Sequence, residues 1–235
     1  MKNKTIYLYD DGIGRVEYIQ HMGTEKTIVN AARVSFGQDN DNELTERDHR
    51  LIKHLIGKKH TSTLEHNVIT MKFTVPLFIR SQHHRHRTWS YNEISRRYTA
   101  ENMQFYSPLS FRTQHKSDRQ ASNQDKINPL IEVAGTVGSA PVALHFGEHK
   151  YRCLHLYDSM IEAGIAREQA RMVLPQNLYT EYYGTVNLNN MIKFLALRLE
   201  AHAQWEIRQV AEACYTICEE LWPYPMRLFR EGFEK

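Results

Sequence analysis

Cysteine is scarce in this chain. Cys153, Cys214 and Cys218 are the only three among 235 residues, and none forms a C-x-x-C pair. Three thiols cannot all pair with one another, so a disulfide framework is excluded and reduced, intracellular thiols are expected. No apolar run approaches the roughly 20 residues needed to cross a bilayer. The opening MKNKTIYLYDDGIGRVEYI acquires acids and glycines too early for a secretory signal, and a cytoplasmic protein is expected. Charge of one sign is lacking too: a formal +3 is too small to argue for non-specific nucleic-acid binding, so local placement of charge matters more than its sum. Repeats, low-complexity tracts and linkers are absent, which leaves residues 1–235 as one expected domain with no internal boundary. Hydrophobic residues at 41% and charged residues at 24% suit a soluble globular chain able to bury one substantial core.

Periodicity supplies the elements. Thr5 to Tyr9 and Val16 to His21 are β-leaning runs around Asp11-Gly12-Ile13-Gly14, a hairpin pattern. Thr24 caps a helix ending near Gly37, Asp39 to Asn42 reads as a polar loop, and Thr45 caps a second helix with Leu51, Ile52, Leu55 and Ile56 on one face. Alternation from Val68 to Val75 predicts a strand that Pro76 ends, opening a helix over Leu77 to Gln82. Residues 107–141 suggest loop with one or two short helical pieces. A long amphipathic helix is expected from Val142 to Ala163, a short one from Arg167 to Val173, and a strand over Leu178 to Val186. Asn187 caps a helix through Glu200, and another runs from Gln204 to Trp222 until Pro223 and Pro225 end it. Strands scattered among helices without a βαβ rhythm predict an α+β fold, a mixed or antiparallel sheet flanked by helices.

The densest chemistry lies in Arg85 to Tyr98 (RHRTWSYNEISRRY). A solvated basic face has no reason to interleave its charges with Trp89, Tyr91 and Tyr98, whereas a pocket for an anionic planar ligand does: guanidinium forks grip phosphate and rings stack on a heterocycle. A basic surface or an RNA contact through arginine and aromatic stacking stays open beside it. Asn92-Glu93 favours the pocket, because a carboxylate repels a nucleic-acid backbone but holds neighbouring arginines. A second segment, His60 to His66 (HTSTLEH), with His83, His84 and His86, raises a metal site or a His-rich metallohydrolase. HExxH spacing is missing and no cysteine lies near to complete a zinc set, so no metal is assigned. The third runs from Ala170-Arg171 to Arg208, where Arg198 and His202, four apart, are expected to share a helix face. On periodicity alone, Arg198 could as well face outward beside Glu200 or solvent.

The R-H-R-x7-S spacing from Arg85 to Ser95 resembles the signature of flavin-dependent thymidylate synthases, and the fuller R-H-R-x-x-S-x-N-E-x-S-x-R-Y pattern is matched throughout. The resemblance extends through His60, Ser62, Glu65 and His66 (H-x-S/T-x-x-E-H) to A-R-x-x-L-P, Y-T, T-x-N, L-R and H-A-Q-W-E-I, in order up to Arg208. Two positions depart from the family pattern: Asn189 stands where an arginine is usual, and Lys193 where an amide is usual.

The resemblance implies methylation of dUMP to dTMP in dTMP biosynthesis, with methylenetetrahydrofolate as carbon donor, FAD as cofactor and NADPH as reductant. It implies a homotetramer, with no nucleic-acid or membrane partner. It assigns dUMP contacts to Gln82, Arg85, Glu93, Ser95, Arg96, Arg97, Arg171 and Arg198, with Arg198 as the catalytic residue at the uracil N3–O2 edge. FAD contacts fall on Ser62, Arg85, His86, Arg87, Glu93, Asn187, Asn189, Lys193 and His202, and His60 lines the folate and hydride side. Ordinary thymidylate synthases add a cysteine thiolate to the pyrimidine. Here Cys214 and Cys218 lie four apart in an apolar helix face and Cys153 sits in mid-helix, none in a setting that activates a thiol. Activation is therefore expected to be electrostatic. Ser95 has no identifiable triad partner and reads as a binding group.

Overall fold

The computed structural model describes residues 4–37, 43–119, 121–135 and 138–233; the polar loop expected at Asp39 to Asn42 lies outside them. Strand β1 (Thr5–Tyr7) and β2 (Arg15–Met22) pair as the expected hairpin. Asp11 shapes its turn by accepting the backbone N–H groups of Ile13 and Gly14 at 2.9 and 3.0 Å. Helix α1 (Glu25–Arg33) begins at the capping box Thr24/Thr27, and α2 (Glu46–Gly57) at the box Thr45/Asp48. A 3₁₀ helix, Thr61–His66, leads into β3 (Val68–Pro76). Pro76 passes the chain into α3 (Leu77–His83), and β4 (Ser90–Glu93) follows.

Next come β5 (Phe111–Gln114), β6 (Ser122–Ile127), β7 (Leu130–Ile131) and β8 (Ala140–Pro141). The rest is α4 (Val142–Glu162), α5 (Arg167–Ala170), β9 (Tyr179–Asn187), α6 (Leu188–Arg198), α7 (Trp205–Leu221) and α8 (Pro223–Phe233).

The fold is α+β with antiparallel sheets. Its five-stranded sheet has the order β1-β2-β3-β9-β4, and every pairing is antiparallel. Ile69, Met71, Phe73 and Val75 are all but fully buried on one face of β3, as the alternation predicts. The opposite face carries the Thr70–Thr185 hydrogen bond at 2.9 Å and ion pairs from Lys72 and Arg15 to Glu181. Such a two-faced sheet is the expected consequence of helices covering one side. On β9 a Cβ at Gly184 would lie 2.9 Å from the Phe73 ring and 3.2 Å from Trp89, so glycine there lets two rings meet across the strand. Ile28, Ile52, Phe194, Val210, Cys214 and Trp222 bring α1, α2, α6 and α7 onto the same core.

Four expectations need correction. Residues 107–141 form short strands, β5 with β6 and β7 with β8, rather than helical pieces. The strand SNQDKI has no apolar alternation, and all but one of its residues are exposed, so the hairpin carries no hydrophobic pattern to read. Helix α4 has the expected length, but Tyr157 is its only buried residue while Leu144, Tyr151 and Leu156 are exposed, so much of its apolar surface is not buried within this chain. Helix α6 stops at Arg198, short of Glu200, so His202 lies in the turn before α7 and does not share its helix face. Helix α7 ends just before Pro223, as expected, but the chain then starts a further helix, α8, rather than leaving helical structure. Pro223 and Pro225 fall in that helix's first turn, where no backbone N–H has an intrahelical partner to lose.

Asp48 ties α1 to α2. Its carboxylate accepts the Thr45 backbone N–H at 2.9 Å, receives the Arg33 guanidinium, and has Lys26 3.8 Å away. Burial alone would raise its pKa, but the hydrogen bonds of Thr45 and the Arg33 charge outweigh that and hold it below the usual carboxylate range. The stabilisation is thus complete above the unfolded-state value and is lost as pH falls through the lowered folded value. Asp48→Asn is expected to cost about 2 kcal/mol at neutral pH. In urea denaturation the gap between variant and wild type closes below about pH 4.

Candidate active site

The basic motif occupies the turn that carries the chain from α3 to β4, and its aromatic residues hold that turn down. Trp89 is buried, 4.5 Å between ring centroids from His83 and 5.5 Å from Phe194. The Tyr91 hydroxyl donates to the backbone carbonyls of His83 at 2.9 Å and His86 at 3.2 Å, and its ring stacks on His84. His83 is fully buried with Nδ1 2.8 Å from the Tyr182 hydroxyl. Burial, then the neighbouring His86, His84 and Arg198, push its pKa well down. Trp89 and Tyr91 therefore pack inward and are not rings on which a ligand could stack; of the motif's aromatics only Tyr98 is exposed. That leaves one exposed ring in the motif, where base stacking on an RNA-binding surface would use several.

The turn sets His86 beside Arg198, the last residue of α6. Arg198 Nε donates to His86 Nε2 at 3.1 Å, and its Nη2 reaches the Gln82 carbonyl at 3.5 Å. Among the described residues no carboxylate lies within ion-pair distance of this guanidinium. Burial lowers the Arg198 pKa, yet an arginine so placed keeps its charge at neutral pH. Burial and the adjacent guanidinium lower the His86 pKa to about 4, so its imidazole is neutral and accepts the Arg198 hydrogen bond. Gln82 donates its side-chain amide to Gln204.

A second group faces a cavity of about 450 Å³ lined by Arg80, Glu93, Ser95, Arg96, Arg171 and Thr180, among others. Glu93 Oε1 accepts the Thr180 hydroxyl at 2.7 Å and faces Arg80 Nε at 3.2 Å. The Arg96 Nε is buried without a hydrogen-bond partner, and burial lowers the Arg96 pKa. Arg171 is exposed, its Nε donating to the Glu168 carbonyl at 3.3 Å. Arg97 is half exposed and 3.6 Å from Glu168. Gln82, His86 and Arg198 do not line this cavity. Arg80 and Thr180 carry no assignment from sequence. The β4–β9 pairing brings Thr180 to Glu93, residues 87 apart, and Arg80 reaches the same carboxylate from α3.

The residues associated with a flavin are more dispersed. Arg85 and Arg87 are exposed on the turn, and neither has a carboxylate partner among the described residues. His60 and Ser62 are exposed at the 3₁₀ helix Thr61–His66. Asn189 is buried and donates to Glu65 at 2.9 Å, tying that helix to α6. Lys193 is exposed on α6, 3.3 Å from Asn190, and Asn187 caps that helix through the Asn190 N–H. His202 Nδ1 faces Asp118 at 3.2 Å. No group of three His, Cys, Asp or Glu that could hold a metal ion occurs among the described residues.

A scan against protein families matches residues 17–224 to the thymidylate synthase complementing protein family. A flavin-dependent thymidylate synthase of Thermus thermophilus is 39% identical over 227 residues, which covers 97% of this chain and 78% of that protein. One from Thermotoga neapolitana is 38% identical over 218 residues, 92% of this chain and 90% of its own length. Among solved structures, the UMP/dUMP methylase PolB of Streptomyces cacaoi bound with 5-Br dUMP superposes with a TM-score of 0.79 at 31% identity, covering 96% of this chain and 97% of that one.

Burial raises the pKa of all three thiols, and Cys214 and Cys218 are fully enclosed in α7. Ellman's reagent at neutral pH is expected to titrate at most Cys153, and slowly, in the native protein, and all three cysteines in denaturant. A fast-reacting thiol in the native state would show that one of them is activated after all.

Proposed function

We propose that this chain, which belongs to the thymidylate synthase complementing protein family of flavin-dependent thymidylate synthases, methylates dUMP to dTMP with methylenetetrahydrofolate as carbon donor, FAD as cofactor and NADPH as reductant. The observation that carries the proposal is Arg198: a half-buried guanidinium, oriented by neutral His86 and the Gln82 carbonyl, with no carboxylate partner among the described residues. A structural arginine is ordinarily paired; one held open is available to an anion. Set at the uracil N3–O2 edge, it stabilises the negative charge that develops as N3 loses its proton and so raises reactivity at C5. No thiol is needed for this, which agrees with three cysteines whose surroundings disfavour the thiolate.

Arg96, Arg171 and Ser95 suit the nucleotide phosphate, with Arg85 and Arg97 nearby in the chain. Glu93, steadied by Arg80 and Thr180, offers its carboxylate to a sugar hydroxyl. The surface chemistry also fits FAD. Arg85, Arg87 and Lys193 are exposed cations without carboxylate partners among the described residues, the donor set that a diphosphate requires. Ser62, His86, Glu93, Asn187, Asn189 and His202 complete the flavin surroundings, with Asn189 acting through Glu65, and His60 lies on the folate side. When bound, the flavin supplies the hydride chemistry and NADPH restores it.

The whole chain acts as one cytoplasmic domain within a homotetramer. Two observations support self-association. The assigned dUMP residues fall into two groups that do not share a cavity, and α4 exposes Leu144, Tyr151 and Leu156. No helix among the described residues is long and apolar enough to cross a membrane.

Arg198→Ala is expected to retain bound flavin, seen in the visible spectrum, while tritium release from 5-labelled dUMP falls on the order of 10²-fold or more. Near-normal release would remove Arg198 from the chemistry. A variant with all three cysteines replaced by alanine is expected to keep turnover within a few-fold of wild type. Its loss in a folded, yellow protein would restore thiol catalysis.

A further inference from the structure

Glu206 lies in the first turn of helix α7, only 5% exposed, and among the described residues every group within hydrogen-bond reach of its carboxylate is a donor. Arg112 Nη2 reaches Oε1 at 2.9 Å and Oε2 at 2.8 Å, the Tyr106 hydroxyl reaches Oε1 at 3.3 Å, and Gln204 Nε2 reaches Oε2 at 3.0 Å. Tyr106 stays protonated, since burial and then Glu206 raise its pKa. A carboxylate paired with a guanidinium can only accept hydrogen bonds. Gln204 must therefore turn its NH₂ toward Glu206 and its carbonyl away. That carbonyl meets Gln82, which must in turn donate its own NH₂. The chain of donors leaves the Gln82 side-chain carbonyl as the free acceptor, on the residue whose backbone carbonyl also receives Arg198.

We propose that Glu206 is a positioning residue that, through Gln204, fixes which way round the Gln82 amide is presented to the nucleotide. An amide is nearly symmetric in shape, and without a fixed neighbour it turns over; the Glu206 carboxylate removes that freedom two hydrogen bonds away. Gln82 then meets the nucleotide as an acceptor, matched to a hydroxyl or ring N–H and mismatched to a phosphate oxygen. Arg112 has a second part. It balances the Glu206 charge, so that the buried carboxylate draws its counter-ion from the β5–β6 hairpin. The hairpin holds Arg112 by its Nε bond to Ser122 at 3.0 Å, and Asp118 of the same hairpin faces His202. The turn between α6 and α7 is thus gripped from outside the sheet.

This rests on the proposed placement of Gln82 at the nucleotide, and the test separates the two claims. Glu206→Gln keeps the shape but restores a donor, so either amide orientation is allowed. In flavin-loaded enzyme the KM for dUMP, and its Kd by calorimetry, are expected to rise about tenfold, one hydrogen bond's worth. kcat should change less than threefold and flavin content not at all. In a Gln82→Ala background the same substitution should shift KM and Kd by less than twofold, because its route to the nucleotide has been removed. An equal penalty in both backgrounds, or no change in KM and Kd, overturns the relay. If Glu206→Gln fails to fold, Arg112→Lys, which loosens the same carboxylate, is run in both backgrounds under the same criteria. A wild-type protein that binds no dUMP overturns the nucleotide placement and the relay together. Normal turnover with an additive Glu206→Gln effect overturns the relay alone.

Discussion

An arginine held open needs a support that does not neutralise it, and His86 is that support for Arg198. A carboxylate would orient the guanidinium equally well but would cancel the charge that the proposed activation uses, and a protonated imidazole would repel it. A neutral imidazole orients without doing either, and this one is neutral because it is buried and because Arg198 itself disfavours a second positive charge. The ring of His86 packs edge-on to Phe194, which also touches His83 and Trp89. The electrostatics of the site thus depend on the packing of an aromatic cluster, which in turn depends on the bare Cα of Gly184 on β9.

Placement of charge, not its amount, distinguishes the molecule. With a formal charge of only +3, nearly every cation could have found an anion. Buried or half-buried carboxylates instead take specific partners: Asp48 takes Arg33, Glu93 takes Arg80, Glu181 takes Lys72 and Arg15, and Glu206 takes Arg112. The pairs of Asp48 and Glu206 are costly to break, because removing the cation strands a buried carboxylate in a low-dielectric interior. Arg198, Arg85 and Arg87 are left without carboxylate partners among the described residues, and the Arg97–Glu168 contact is exposed and of little energetic weight. These unpaired cations are available to the phosphorylated ligand and the dinucleotide of the proposed function.

Elements with local causes were legible in the sequence. Caps at Thr24, Thr45 and Asn187, the alternation of β3 and the Pro76 junction each follow from a few consecutive residues, and each is present. What failed depended on distant partners or had no local pattern. The polar hairpin of β5 and β6 buries too little to show periodicity. The end of α6 at Arg198 reflects the turn that brings Gln204 back onto α3, and the Glu93–Thr180 contact exists only because β4 pairs with β9. The candidate residues were assigned through the family motif, which says nothing of their grouping. Which side chains share a cavity is decided by sheet order, on which a linear spacing carries no information.

The stretch from Arg85 to Tyr98 shows how a motif can be highly informative and still be misread in detail. Its aromatics looked like a ligand platform because they alternate with charges. In the fold the alternation has another cause: around β4 successive side chains point to opposite faces, so Trp89 and Tyr91 turn to the core while Ser90 and Asn92 turn outward. Two requirements are therefore written into the same residues, one for pinning the turn and one for the chemistry it presents. Neither is satisfied alone. Without Trp89 and Tyr91 the turn has no anchor to set His86 against Arg198; without the outward residues the anchored turn presents nothing. A segment constrained on both faces tolerates little substitution at any position, a physical reason for so long an ungapped pattern to mark a family.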